Sequence, residues 1–129
     1  MKQLRRLILF DTSIGDAGLV HLEGMKQLQN LHLAKTQISD GGLAHLEGLT
    51  DLKSLHLFNT AVGDAGLARL EGMRGLDWLN LNNTRTSDAG LVHLEGMKDL
   101  RMLFLAHTEV SNAGIERLRR ALPRVQISR

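Results

Sequence analysis

Leucines and polar residues follow one pattern along the chain, and that pattern returns every 24 residues. The spacing L-x-x-L-x-L starts at Leu4, Leu28, Leu52, Leu76 and Leu100. Its L-x-L part has a period of two, which predicts a short, half-buried β-strand in each copy. The residues between the leucines differ from copy to copy, so we expect them to face outward. The pattern indicates a repeat array with a constant interior and a variable surface.

A helix signal follows each predicted strand. Leucine or isoleucine recurs at a spacing of three, which places both side chains on one face of a helix of about two turns. Good N-cap residues precede them at Asp16, Asp40, Asp64, Asp88 and Asn112. Glycine recurs where these helices should end, at Gly24, Gly48, Gly72 and Gly96. A threonine between strand and helix is expected to hydrogen-bond to loop backbone, at Thr12, Thr36, Thr60, Thr84 and Thr108.

A strand and a short helix cannot close a core alone, so the copies must stack on one another. Strands lie about 4.8 Å apart while helices are about 10 Å wide, and this difference forces curvature. We therefore expect an α/β solenoid, with a curved parallel sheet on the concave face and short helices on the convex face. The array should form one domain over residues 1–129, with five repeats and a shortened closing unit at about 112–129. In that unit Leu122, Val125 and Ile127 predict a sixth strand.

The repeat L-x-x-L-x-L-x-x-T-x-[IV]-x-D-x-G-L resembles the leucine-rich repeat family. Its 24-residue form is similar to repeats of bacterial leucine-rich proteins, with relatives in the ribonuclease-inhibitor-like class. The resemblance covers essentially the whole chain. It implies a horseshoe-like solenoid that binds a macromolecular partner on its concave side, without a common catalytic residue. Threonine stands where many members have asparagine or cysteine, so the family's asparagine ladder is not expected.

Composition narrows the function further. Charged residues make up 23% of the chain, and 16 Lys+Arg against 14 Asp+Glu leave a net charge of only +2. That balance does not favour a nucleic-acid partner. The N-terminal apolar run, LILF, is too short for a signal peptide, and no membrane segment is expected. The absence of cysteine excludes disulfides and thiolate metal sites, and it is compatible with the cytoplasm without assigning a compartment.

The candidate site lies on the outward positions of the strands. All four aromatic residues, three Phe and one Trp, fall there, as binding anchors on a concave sheet would. The alternative is that aromatic residues suit strands intrinsically and only cover the sheet. The predicted partner-binding residues are Phe10, His32, His56, Phe58, Trp78, Asn80, Asn82, Met102 and Phe104.

Catalytic and metal chemistry find little support. His32 and His56 occupy equivalent positions in adjacent repeats, so their side chains should lie roughly 5 Å apart. Two ligands are too few for a zinc site, and no cofactor is expected. We expect no base beside an activated nucleophile and hence no enzyme. Glutamates recur on the predicted helices, and three are expected to pair with a basic residue three positions later, namely Lys26, Arg74 and Lys98.

The sequence therefore predicts a non-enzymatic module that binds a protein or peptide on its concave sheet. The alternative is a structural or self-assembling repeat unit, a natural fragment or an engineered array, that associates through its N-terminal edge as a homo-oligomer. No capping segment precedes Leu4, which is what suggests that edge.

Overall fold

The computed structural model describes residues 3–129. Its sheet has six parallel strands that lie side by side in chain order. The strands are β1 (Arg6–Ile8), β2 (Asn30–His32), β3 (Ser54–His56), β4 (Trp78–Asn80), β5 (Met102–Phe104) and β6 (Gln126–Ser128). The α-helices are α1 (Asp40–Leu43), α2 (Asp64–Ala68), α3 (Asp88–Leu91) and α4 (Asn112–Ala121). Three 3-10 helices cover Asp16–Leu22, Ala44–Leu46 and Val92–Leu94.

Each strand is centred on the middle leucine of its repeat, as the period of two predicted. Leu31 pairs with Leu55 in register, and Leu55 pairs with Leu79. The sixth strand is also confirmed, because Ile127 pairs with Leu103 of β5. Outward residues at equivalent repeat positions therefore become neighbours across the sheet.

The core lies between the sheet and the helices. Leucines of the inner strands, such as Leu55 and Leu79, have no exposed surface, and neither do Leu43 and Leu67 on the helices. This confirms the α/β solenoid with a parallel sheet on one side and short helices on the other. One apolar slot holds Thr86, which is fully buried and shares a 2.9 Å hydrogen bond with the hydroxyl of Thr84.

The turn after each strand is built around the recurring threonine. Its hydroxyl donates to a carbonyl three residues earlier, as Thr36 does to Leu33 at 2.6 Å. The expected bond to loop backbone is confirmed. The residue before each threonine has φ between 54° and 58°, at Asp11, Lys35, Asn59, Asn83 and His107. None of the 13 glycines has a positive φ. The glycines expected at the helix ends do follow them, as Gly24 follows the C-cap residue Glu23, but without a left-handed conformation.

The N-cap prediction for the aspartates is wrong. The helices begin at the aspartates, and the N-cap is the residue before, such as Ser39 with an extended φ of −141°. The carboxylate of Asp16 instead accepts from the N–H and the hydroxyl of Ser39, at 2.7 and 2.5 Å. Stacking brings the next repeat's N–H within reach, so the carboxylate satisfies a donor there. We call these contacts the aspartate bridges: Asp16 to Ser39, Asp40 to Gly63, Asp64 to Ser87 and Asp88 to Ser111.

The helix-surface glutamates likewise pair between repeats. Glu47 accepts from Arg69 at 2.9 Å, and Glu95 accepts from Arg117 at 3.1 Å. His45 and His93 lie 2.5 and 2.7 Å from the glutamates of the repeats before them, Glu23 and Glu71. The predicted pairs with Lys26, Arg74 and Lys98 do not form, because the stacked helix brings a basic residue 22 positions later closer to the carboxylate.

Candidate functional site on the sheet

Six rings form a continuous row across the outer surface of the sheet. Adjacent ring centroids lie 4.4–6.5 Å apart, within the range of aromatic contacts. We call this row the aromatic strip, and it consists of Phe10, His32, His56, Phe58, Trp78 and Phe104. All six belong to the predicted binding residues. Met102 pairs in register with Trp78 and is half-buried beside it.

Two kinds of ring contact order the strip. The imidazoles of His32 and His56 are stacked, with centroids 4.4 Å apart and an 8° angle between the planes. Phe10 meets His32 edge to face at 5.1 Å, and Trp78 tilts against Phe104 at 5.0 Å. Phe10 and Trp78 remain 40% and 36% exposed, so a partner can reach both of these rings.

The histidine pair has an unusual polar environment. Nδ1 of His32 is buried and has no hydrogen-bond partner within residues 3–129. A buried unpaired N–H is rarer than an unpaired acceptor, so the proton of the neutral ring is assigned to Nε2. Burial lowers the pKa of His32 below its ordinary value of 6.5. Burial also lowers the pKa of His56, and the charge of a protonated His32 lowers it further. Both rings are therefore neutral near pH 7.

The side chains of the two predicted asparagines, Asn80 and Asn82, form hydrogen bonds to the protein's own backbone. The side-chain oxygen of Asn80 accepts from the N–H of Asn82 at 3.0 Å. The side-chain oxygen of Asn82 accepts from the N–H of Ala106 in the next repeat, at 2.7 Å. These oxygens hold the turn, although both residues remain half-buried at the surface of the sheet. Ala34 occupies another outward position in the predicted pattern, yet it is fully buried.

Sequence reasoning missed a depression at the β1 end of the strip. It has a volume of about 290 Å³, and its lining contains no carboxylate. The residues around it are Arg6, Leu7, Ile8, Asn30, Leu31, His32, Ser54 and His56. Arg6 was not predicted as a site residue, although its place in the outward column beside Asn30 and Ser54 was a signal for it.

One pair of residues bears on the expectation that no base lies beside an activated nucleophile. Nε2 of His56 lies 3.3 Å from the hydroxyl of Ser54, so a base does sit beside a possible nucleophile. A working triad also needs a carboxylate that orients the histidine. The structure places no carboxylate within hydrogen-bond distance of His56 among residues 3–129.

The stacked histidines also do not form a metal site by themselves. The in-plane lone pairs of parallel rings do not converge on one ion. Across residues 3–129, no cluster of three or more His, Cys, Asp or Glu is arranged to bind a metal. In the same part of the chain, no helix has the length and apolarity needed to cross a membrane.

Comparison with known proteins agrees with this fold. A family model described as a leucine rich repeat matches residues 48–70. An internalin from Listeria monocytogenes is similar in structure, with a TM-score of 0.86 and 26% identity over 99% of this chain and 35% of that one. A leucine-rich-repeat protein of Leptospira interrogans has a TM-score of 0.73 and 21% identity over 99% of this chain and 38% of that one. The second likeness concerns the fold alone.

The repeat at residues 48–70 and the fold of the chain are therefore similar to those of leucine-rich repeat proteins. The chain spans little more than a third of the length of these two solved structures. No curated protein matches its sequence.

Proposed function

We propose that this chain is a non-enzymatic protein- or peptide-binding module whose partner lies on the aromatic strip. The observation that carries the proposal is the continuous, partly exposed row of rings from Phe10 to Phe104. The repeat fold supports it, since leucine-rich repeat proteins commonly bind other proteins. The two solved structures that resemble this chain come from bacteria, which fits a bacterial repeat type.

The strip suits binding because its rings are ordered by one another before a partner arrives. Aromatic side chains offer a large contact area with few rotatable bonds, so little conformational entropy is lost on binding. Trp78 is the expected central anchor, because it contacts both His56 and Phe104 and remains 36% exposed.

The proposal is tested by selecting displayed random peptides against the chain and titrating the selected peptides with variants. Replacing Trp78 by Ala should weaken binding by about tenfold or more, since truncating a central anchor costs about 2 kcal/mol. Val92→Ala is the matched control, because Val92 is 42% exposed on the helix side. Thermal unfolding of both variants should stay close to that of the parent chain.

The opposite pattern would contradict the proposal. Selected peptides that bind Trp78→Ala and Phe104→Ala as tightly as the parent chain, but lose affinity for Val92→Ala, would place the binding surface on the helices.

A second candidate function is assembly through the N-terminal edge. It is favoured by the first repeat, where Leu4, Leu7 and Leu9 are only partly buried while Leu28, Leu31 and Leu33 are fully buried. This would make the chain a structural unit that forms homo-oligomers.

A further inference from the structure

We propose that the depression beside His32 takes an acidic side chain, so that the partner is a protein segment with Asp or Glu near a large apolar residue. This inference rests on the proposed binding function and names the chemistry that the strip would recognise.

Hydrogen-bond donors line the depression, and none of its lining residues is a carboxylate. Arg6 is exposed and forms no ion pair among residues 3–129. Arg6 pairs in register with Asn30, and Asn30 with Ser54, so a guanidinium, an amide and a hydroxyl lie in one row across three strands. A carboxylate can accept hydrogen bonds from all three groups, and its bond with arginine would be charge-assisted.

The protonation of the stacked histidines should respond to the same carboxylate. The assigned tautomer of His32 leaves Nε2–H as its donor, because Nδ1 is the buried atom. A carboxylate close to the pair would favour the protonated rings and so raise their pKa. The other charged groups around the pair are Arg6 on β1, Lys35 after β2, whose Nζ lies 5.6 Å from the Phe10 ring, and Asp11, which follows Phe10. Acid binding and proton uptake should therefore be coupled.

Size and spacing define the rest of the segment. A volume of about 290 Å³ suits one side chain rather than a cofactor or drug-sized ligand. Trp78 and Phe104, on β4 and β5, lie two to three strands from the middle of the depression, or about 10–14 Å. An extended peptide spans that distance in three or four residues at about 3.3 Å each. The preferred segment thus has an acidic and a large apolar residue separated by two or three others.

A protein ligand is favoured over a nucleic acid. Rings and arginine could also hold bases and phosphates, but nucleic-acid binding relies on several cationic contacts to the backbone. The depression offers one permanent cation, Arg6, and the net charge of the chain is +2.

The test uses two acetylated, amidated pentapeptides, Glu-Ser-Gly-Ser-Leu and the same peptide with Gln in place of Glu. Binding is followed by proton NMR of the Cε1–H signals of His32 and His56, assigned with His32→Gln and His56→Gln. The Glu peptide should give saturable shifts with a Kd about fivefold or more below that of the Gln peptide. It should also raise the pKa of both rings, so that its affinity increases as the pH falls through the raised pKa values of the bound rings towards those of the free rings.

Two variants separate the acidic site from general charge effects. Arg6→Gln should remove the preference for Glu over Gln, because it removes the permanent cation of the depression. Arg101→Gln is the matched control, since Arg101 is exposed at the start of β5 and does not line the depression. It should leave the preference unchanged.

Three results would overturn the acidic site. The two peptides could bind equally while Trp78→Ala still weakens both, which would leave the proposed function standing. Neither peptide could shift the histidine signals at millimolar concentration, and the selected peptides would then decide the proposed function alone. An eight-residue oligothymidylate could bind more tightly than the Glu peptide, which would point to nucleic acid.

Discussion

Gly90 lies where the backbone of one repeat passes over a carboxylate of the repeat before it. A Cβ at this position would approach Oδ1 of Asp64 to 2.3 Å and a methyl group of Leu67 to 3.0 Å. The equivalent glycines, Gly42, Gly66 and Gly114, face Asp16, Asp40 and Asp88 in the same way. The recurring glycine therefore makes room for the aspartate bridges rather than for a special backbone conformation.

We expect Gly90→Ala to lower the free energy of unfolding by about 2 kcal/mol, because the methyl group would displace a carboxylate that satisfies a backbone donor. Urea denaturation measures this. Gly96→Ala is the control, since a Cβ there meets nothing within 4 Å. That variant should be neutral or slightly stabilising. Equal stabilities of the two variants would show that the aspartate bridge can move at no cost.

Sequence reasoning could not distinguish these roles for single residues. An aspartate at a helix start fits both an N-cap and a bridge to the next repeat, and only the stacking distance decides between them. The glycine two positions later recurs every 24 residues as well, but that period does not show which group it makes room for. Thr86 was also not recognisable as a core residue, because its burial depends on the hydroxyl of Thr84 that lies 2.9 Å away.

At the level of elements, period and spacing were sufficient. The L-x-L strands and the helix leucines such as Leu43 and Leu46 were predicted correctly. Each of these side chains packs within its own repeat or against the equivalent residue of the next repeat. The helix type was less predictable. The segment after Asp40 changes from an α-helix to a 3-10 helix at Ala44, and such a change depends on one hydrogen bond per residue.

The turns before the threonines also escaped prediction, since five different residues of four types occupy the left-handed position. Asparagine tolerates that conformation better than most residues. Two repeats already have asparagine at this position, and the side chain of Asn83 donates to that of Asn59 at 2.7 Å across the repeats.

We therefore expect His107→Asn to raise the free energy of unfolding by about 1 kcal/mol, through lower backbone strain and a further amide contact with Asn83. His107→Val should be destabilising, because a β-branched residue disfavours a positive φ. Chemical denaturation of both variants tests the pair, with Glu109→Asn, exposed in the same loop, as a neutral control. If Val and Asn gave the same stability, the left-handed φ of 58° would not be the cause.

At the scale of the whole molecule, the solenoid and the aromatic strip followed from the sequence, while the depression did not. The rings were identifiable because outward positions recur every 24 residues and all four Phe and Trp fall on them. The contact of Ser54 with His56 and the internal bonds of Asn82 depend on side-chain rotamers, which no periodicity encodes.

The two ends of the array differ in charge, and this bears on assembly. In the C-terminal unit Asn112 stands at the aspartate position, where it accepts from Arg129, and Arg119 stands at the glutamate position, where it pairs with Glu116. β6, paired with β5, also occupies the place that β1 of a second copy would need if its first helix packed against α4. The ends are therefore not complementary.

We expect light scattering to give a monomer mass that does not change over micromolar concentrations. Oligomers of the parent chain that respond to polar substitution of Leu7 would instead favour the assembly function.

The aspartate bridges have a further consequence for how the length of this protein can change. Each joint uses the same few groups in the same direction, so a 24-residue unit can be inserted or removed between two like joints without a new interface. Every added unit widens the sheet by about 4.8 Å and contributes its own outward side chains. The length of the binding surface and its specificity can thus change while the interior of the protein stays the same.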